Sequence, residues 1–242
     1  MSGHSKWATI KRQKGKTDAK RGIAFTKLSN AITLAVKAGG GIGDPTQNFK
    51  LRLAIDTARS ANMPKENIER AIARAAGKQG QEMEEVVYEG FGPGGVGIIV
   101  EAATDNKNRT SSEVKNVFDK NGGNMVQPGA VSYQFKQMGQ LILDKNGKSI
   151  DDIFLLAADS GAEDVEEQDD EVFIYTKPSD LAKVKESLGK VGIVTKEMEL
   201  IRKPTVFVSL PDEEAFNKVT NILDKLEELD DVQKTYSNFD IK

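Results

Sequence analysis

The 242 residues contain no cysteine, one histidine (His4) and one tryptophan (Trp7). Without thiols the chain can form no disulfide, no thiolate zinc site and no cysteine nucleophile. One imidazole in a polar arm makes neither a nucleophile–base relay nor a transition-metal set. The expectation is therefore a protein that is not an enzyme and uses no cofactor or metal. Apolar runs are equally short. None approaches the ~20 residues of a membrane span, and the first residues lack the apolar core, about 7–15 residues long, of a secretion signal. A cytoplasmic protein is expected. With 38% hydrophobic and 29% charged residues, the chain reads as globular with a polar surface, and its length suits two or three small domains.

What the sequence does have is charge, unevenly spread. The first 27 residues hold eight cations, Lys6, Lys11, Arg12, Lys14, Lys16, Lys20, Arg21 and Lys27, against one acid, Asp18. Residues 1–80 carry 16 Lys and Arg against five acids, a balance of +11. The remaining 162 residues carry 18 against 32, a balance of −14, so the overall −3 hides the split. A basic segment relieves its self-repulsion on an anionic polymer, which releases condensed counterions in exchange. Nucleic acid is the expected partner. A merely solubilising tail is the competing reading, and the continuation of the basic excess into a folded-looking region argues against it.

Residues 18–77 read as three helices. Phe25, Leu28, Ile32 and Ala35/Val36 share one face, and the run stops at Gly39-Gly40-Gly41. Asp44-Pro45 reads as a cap and first turn for a second helix burying Leu51, Ala54, Ile55 and Ala58. Met63-Pro64 opens a third, with Ile68, Ala71, Ile72 and Ala75 inward and Gly77 at its end. Their polar faces carry Lys27, Lys37, Lys50, Arg52, Arg59, Arg70 and Arg74.

The period then changes. Val86–Phe91 and Gly97–Ala103 read as strands joined by a Gly92-Pro93-Gly94-Gly95 turn, and Thr110–Asn121 as a helix capped by Thr110 or Ser111 with Glu113. Val131–Phe135 is the next expected strand. From Leu141–Leu143 the order is strand, helix (149–160), strand (162–166), strand (171–176), helix (179–191), strand (193–199), which is the ferredoxin-like split βαβ order. A strand at Thr205–Leu210, a helix at Asp212–Leu229 and a strand at Val232–Ser237 follow. The expected fold class is α+β: an N-terminal three-helix domain plus two ferredoxin-like α/β domains, one inserted in the other. The expected domains are a basic arm and helical domain (1–80), a discontinuous α/β domain (81–130 with 205–242) and an inserted ferredoxin-like domain (131–204).

Several motifs invite chemistry they do not support. Gly92, Gly94 and Gly97 match G-x-G-x-x-G, but lead into a strand instead of opening a helix, so a hairpin turn is the better reading. Gly15-Lys16-Thr17, Gly77-Lys78-Gln79 and Gly147-Lys148-Ser149 lack the second glycine of a P-loop; Ile10, Ile72 and Ile142 stand where it would be. The acidic run Glu163–Glu171 lacks the spacing and turn glycine of a calcium loop, which favours a solvated hairpin or a protein-docking surface. His4, beside Lys6 and Trp7, suits a phosphate or base-stacking contact. In Asp105–Thr110 the Asx residues fit a turn and helix cap, while Lys107 and Arg109 beside a helix N-terminus also fit a phosphate; both readings stand.

Long ordered motifs carry a resemblance. Gly3-His4-Ser5-Lys6-Trp7, Asp18-Ala19-Lys20-Arg21-Gly22, Phe25-Thr26-Lys27, Asn62-Met63-Pro64-Lys65, Ile68-Glu69-Arg70-Ala71-Ile72, Tyr88-Glu89-Gly90-Phe91-Gly92-Pro93-Gly94-Gly95 and Thr104-Asp105-Asn106-Lys107-Asn108-Arg109-Thr110 are similar to the YebC/PmpR family. The resemblance runs from residue 3 to the C-terminal helix. It implies three domains around a cleft and a nucleic-acid-binding regulator. Family members are described as probable transcriptional regulators that bind DNA; a mitochondrial branch activates translation, and bacterial members are linked to ribosomes stalled on proline-rich sequences.

Residues and resemblance together give an expected function. It is non-enzymatic regulation of gene expression through nucleic acid, as a ribosome- and rRNA-associated translation factor or, alternatively, as a DNA-binding transcription regulator. The arm is mostly lysine, which suits phosphate contact over bidentate reading of guanine, and Trp7 suits stacking on exposed bases. The expected contacts are His4, Lys6, Trp7, Lys11, Arg12, Lys14, Lys16, Lys20, Arg21 and Lys27, together with Lys107 and Arg109. Expected partners are rRNA or tRNA on the ribosome, or promoter DNA, with basic ribosomal proteins at the acidic domains. No membrane and no small-molecule substrate is expected.

Overall fold

The structure is a computed structural model that describes residues 18–77, 83–145 and 149–240, with side chains described from Gly22 onward. Its elements are α1 (Asp18–Ala38), α2 (Phe49–Ser60), α3 (Lys65–Ala76), β1 (Glu84–Phe91), β2 (Gly97–Thr104), α4 (Lys107–Lys120), β3 (Asn124–Val126), β4 (Phe135–Asp144), α5 (Ile150–Asp159), β5 (Asp164–Gln168), β6 (Glu171–Thr176), α6 (Leu181–Lys190), β7 (Glu197–Pro204), β8 (Val208–Ser209), α7 (Glu213–Glu227), β9 (Val232–Ser237) and β10 (Phe239–Asp240). The chain divides into two compact units. Residues 135–203 form one, and the segments ending at Gln134 and resuming at Pro204 form the other.

In the second of these, α1, α2 and α3 close a core of Ile32, Val36, Leu51, Ile55, Ala58, Met63, Ile68 and Ala71, with Phe25 and Leu28 packed against it. The faces are those the 3/4 periodicity predicts. The cap is not. Asp44 folds back on Thr46, accepting from its N–H at 2.8 Å and its hydroxyl at 2.7 Å, so residues 44–47 form a turn and the helix begins later. Asn48 caps α2, accepting from Leu51 N–H at 3.0 Å and donating to the Ala35 carbonyl at 2.8 Å and the Ile42 carbonyl at 3.2 Å. Glycine at 39 follows from this, because a Cβ there would lie 2.2 Å from Asn48 Nδ2.

The same unit holds an antiparallel sheet ordered β3-β1-β2-β9. Val114 and Phe118 of α4, with Val219, Ile222, Leu223 and Leu226 of α7, pack with Ile98 and Val100 of β2 in one cluster, so both helices cover one face. The hairpin at Gly92–Gly95 is a short 3-10 turn in which Gly94 and Gly95 adopt positive φ. On the opposite face Ile99 and Tyr236 are also buried, and α1 packs near β2 and β9. Central strands β1 and β2, outer strands β3 and β9 and two helices on one side reproduce the ferredoxin-like arrangement, with β1 arriving from ahead of its usual place in the chain.

Two strand expectations need correction. Residues 132–134 form a 3-10 turn in place of a strand, and the outer strand is residues 124–126. The reason is Glu89, only 4% exposed, whose carboxylate accepts from the N–H groups of Gly129 at 2.8 Å, Val131 at 2.6 Å and Ser132 at 2.9 Å. Those donors are withdrawn from any ladder. Burial alone would raise the Glu89 pKa, but the converging backbone donors outweigh it and hold the group below the usual glutamate range. Residues 205–210 likewise do not join the sheet. Only β8 is extended there, paired in parallel with β10. Thr205 instead donates both its N–H (2.8 Å) and its hydroxyl (2.9 Å) to the Gln134 carbonyl. Asn238, fully buried, accepts from Gly97 N–H at 2.7 Å and donates to the Gln134 side chain.

The other unit has sheet order β5-β6-β4-β7 with α5 and α6 packed on a core of Leu141, Leu143, Ile153, Val172, Ile174, Leu181, Val184 and Leu188. Its first and third strands are central and antiparallel, the ferredoxin-like order. The last strand begins at Glu197, later than the expected 193. Gly192, at φ 78°, ends α6, and Ile193 N–H returns to the Leu188 carbonyl at 2.9 Å, so its side chain packs into the core. The acidic run lies on the β5–β6 hairpin. Lysines from elsewhere in the unit meet much of it: Lys203 is 2.7 Å from Asp164 and 2.9 Å from Glu166, Lys196 is 2.9 Å from Glu171, Lys136 is 2.7 Å from Glu163, and Lys145 pairs with Glu167.

Candidate nucleic-acid interface

Of the expected contacts, His4, Lys6, Trp7, Lys11, Arg12, Lys14 and Lys16 lie outside the described residues. Lys20 and Arg21 fall in the first turn of α1. The other three are held by neighbours within the fold.

Lys27, on α1, donates its ammonium to the backbone carbonyl of Glu227, the last residue of α7. A cation there meets the negative end of the helix dipole and one of the carbonyls that the helix leaves unsatisfied. Lys27 therefore joins the helical module to the α/β sheet region of its own unit.

Lys107 and Arg109 lie inside the first turn of α4, because the helix starts earlier than its expected Thr110 or Ser111 cap. Asn106 is the cap, its side chain accepting from Arg109 N–H at 3.1 Å. Two cations at a helix N-terminus oppose the dipole, and carboxylates compensate. Lys107 Nζ is 2.7 Å from Glu84. Arg109 reaches Asp231 at 2.7 Å and Asp105 at 2.9 Å. Asp231 also accepts from the hydroxyls of Thr110 at 2.6 Å and Thr104 at 3.2 Å. Its partial burial pushes its pKa up; the hydroxyls and the guanidinium more than reverse this, and the carboxyl titrates below the usual aspartate range. Arg109 in turn is held more firmly as a cation, by Asp231 first and Asp105 second. The turn-and-cap reading of this loop is thus seen in the structure, with an acid from the α7–β9 turn paired to Arg109.

Other cations of the helical module differ in their availability. Arg52 donates to the Pro45 carbonyl at 2.9 Å and the Thr46 carbonyl at 3.1 Å, and Lys65 lies 3.5 Å from Glu69. Lys50, Arg70 and Arg74 are exposed, and no described carboxylate lies within ion-pair distance of them. Arg70 and Arg74 stand one turn apart on α3, so their guanidinium groups share a helix face. Their i, i+4 spacing is legible in the sequence; their lack of partners among the described residues is not.

Comparison with known proteins agrees with the fold. Residues 5–78 match the family model of the TACO1/YebC protein N-terminal domain, and residues 83–239 that of the TACO1/YebC second and third domain. A "probable transcriptional regulatory protein" of Persephonella marina is 50% identical over 243 residues, spanning 100% of this chain and 96% of that protein. A protein of the same description from Sulfurihydrogenibium sp. is 49% identical with the same coverage. The crystal structure of a conserved hypothetical protein, Aq1575, from Aquifex aeolicus superposes with a TM-score of 0.86 at 45% identity, covering 94% of this chain and 93% of that one. Matched along its length by both family models and sharing half its residues with full-length relatives, the chain belongs to the TACO1/YebC family.

Proposed function

We propose that this protein is a non-enzymatic regulator of gene expression that binds nucleic acid through its basic N-terminal arm. More specifically, we propose that it acts as a translation factor associated with ribosomal RNA in the cytoplasm. The observation that carries the reading is the charge division: +11 over residues 1–80 against −14 over the rest. His4, Lys6, Trp7, Lys11, Arg12, Lys14, Lys16, Lys20 and Arg21 are the proposed contacts. Six of the eight cations in the first 27 residues are lysine, which serves as a point charge for phosphates, while Trp7 can stack on an unpaired base. Lys27, Lys107 and Arg109 are assigned instead to holding the fold, since each already has a carbonyl or carboxylate partner.

A second reading, promoter binding by a transcriptional regulator, is favoured by the printed name of the relatives. Sedimentation separates the two. If translation is the site of action, the native protein co-migrates with ribosomes in a lysate, and changing Lys11, Arg12, Lys14 and Lys16 to Glu releases it. Free protein that binds promoter DNA sequence-selectively at nanomolar concentration and physiological salt would establish the second reading. In either case the four reversals flatten the slope of log affinity against log salt by about three to four units; an unchanged slope removes the arm from the contact.

A further inference from the structure

Helix α5 has an outer face that the fold does not use. Ile153 and Ala157 are fully buried, and Ile150 and Leu156 pack against the same core. Phe154 and Leu155 point away from it, 50% and 62% exposed. Asp151, Ala158 and Asp159 are exposed beside them. Positions 151, 154, 155 and 158 fall at i, i+3, i+4 and i+7, which makes a single stripe along the helix.

The acids on this stripe differ from those of the nearby hairpin. Glu163, Asp164, Glu166, Glu167 and Glu171 are met by lysines. No described cation lies within ion-pair distance of Asp151 or Asp159. Asp152 and Ser149 form the N-terminal cap, and Asp151 stands in the first turn, where a helix favours negative charge. Asp159, in the last turn, has the wrong sign for the dipole, so helix stability does not account for it. From Ser149 to Glu171 the chain holds ten acids and no Lys or Arg. Helix α6, packed beside α5, carries Lys183, Lys185 and Lys190, the last ion-paired with Glu186 of its own helix at 2.8 Å.

We propose that this face of α5 docks a basic amphipathic segment of a partner protein, with Phe154 and Leu155 entering its apolar stripe and Asp151 and Asp159 meeting flanking Lys or Arg. Charge selects the occupant. Nucleic acid and anionic membrane surfaces are repelled by the carboxylates, and a second copy of the same face would set Asp151 and Asp159 against their like. A segment of helix width with cations outside and apolar residues inside satisfies both halves of the stripe. The inference is independent of which nucleic acid the arm takes.

The test uses the full chain and a fluorescein-labelled synthetic amphipathic helix of Leu and Lys, with a Leu/Glu peptide as control. The Leu/Lys peptide binds and the Leu/Glu peptide does not. Its amide-shift footprint falls on α5. Phe154→Ser with Leu155→Ser weakens binding about tenfold, as does Asp151→Lys with Asp159→Lys. Both pairs are exposed, so circular dichroism and thermal midpoint stay near the parent's. The proposal is overturned if either pair leaves affinity within about twofold, or if Asp169→Asn with Asp170→Asn weakens it equally, which would mark diffuse attraction to the hairpin. Self-association that Phe154→Ser with Leu155→Ser abolishes would overturn it in favour of a second copy.

Discussion

Replacing Glu89 by glutamine preserves the side chain's size and removes its charge where three backbone N–H groups converge. In the parent, Oε2 accepts from Val131 at 2.6 Å and Ser132 at 2.9 Å, while Oε1 accepts from Gly129 at 2.8 Å. Glutamine keeps one acceptor and presents an NH2 to the remaining donors. In the better orientation it keeps the Val131 and Ser132 bonds in weakened, uncharged form and faces Gly129 with a donor; in the other it loses two. Hydrogen bonds to a charged group contribute about 1.5–3 kcal/mol each, and a stranded buried donor costs about 1–3 kcal/mol. The expected loss is about 3 kcal/mol, which lowers the thermal midpoint by roughly 6–12 °C for a chain of this size. Urea unfolding followed by circular dichroism measures it. Hydrogen exchange locates it, because the amides of Gly129, Val131 and Ser132 should exchange faster while those of α1–α3 hold. The pH dependence supplies a second check. Glu89 titrates below its usual range in the folded protein, so between the folded and unfolded pKa values the unfolded chain binds more protons and stability rises with pH. The advantage of Glu over Gln is thus complete above the ordinary glutamate pKa of about 4.3 and shrinks as pH falls through the lowered folded value. A difference below about 0.5 kcal/mol at pH 7, within the range of ordinary surface substitutions, would refute the reasoning.

Asp231→Ala should cost about 1–2 kcal/mol in the same assay, since it removes the charge-assisted bonds from Arg109 and from the hydroxyls of Thr104 and Thr110 while Arg109 keeps Asp105. If Arg109→Ala in the Asp231→Ala background costs as much as it does alone, the two residues are not coupled. Gly90→Ala places a Cβ 2.4 Å from Phe118 Cε1 and 2.9 Å from the Asn124 carbonyl oxygen; the β1–β3 pairing must shift, with an expected loss of about 1–3 kcal/mol. Asn48→Ala removes the α2 cap and two bonds to the carbonyls of Ala35 and Ile42, for about 2 kcal/mol, whereas Asp44→Ala should cost less than half that because its turn is exposed.

Sequence alone determined what depends on near neighbours and on charge. The inward faces of α1–α3 follow from apolar residues three and four apart, and the Gly92–Gly95 turn from glycines that can take positive φ. The excess of cations in residues 1–80 is a property of composition and needs no fold. Tertiary structure decided what rests on distant partners. Residues 131–135 have the pattern of a strand, yet a carboxylate about forty residues earlier takes the N–H groups of Val131 and Ser132, and the strand starts only at Phe135. Asp44 and Asn48 are both competent caps locally; Asn48 caps because the carbonyl of Ala35, thirteen residues back, also accepts from it. Lys107 and Arg109 have no acidic partner apparent from the sequence pattern beyond Asp105, yet the fold sets Asp231, 122 residues after Arg109, against the guanidinium and Glu84 against the ammonium. Lys27 looks like one more arm cation until the Glu227 carbonyl at the end of α7 accepts a hydrogen bond from it. A side chain's charge is fixed by its type, but whether that charge is free to meet a partner is fixed by what the fold brings within about 3 Å of it.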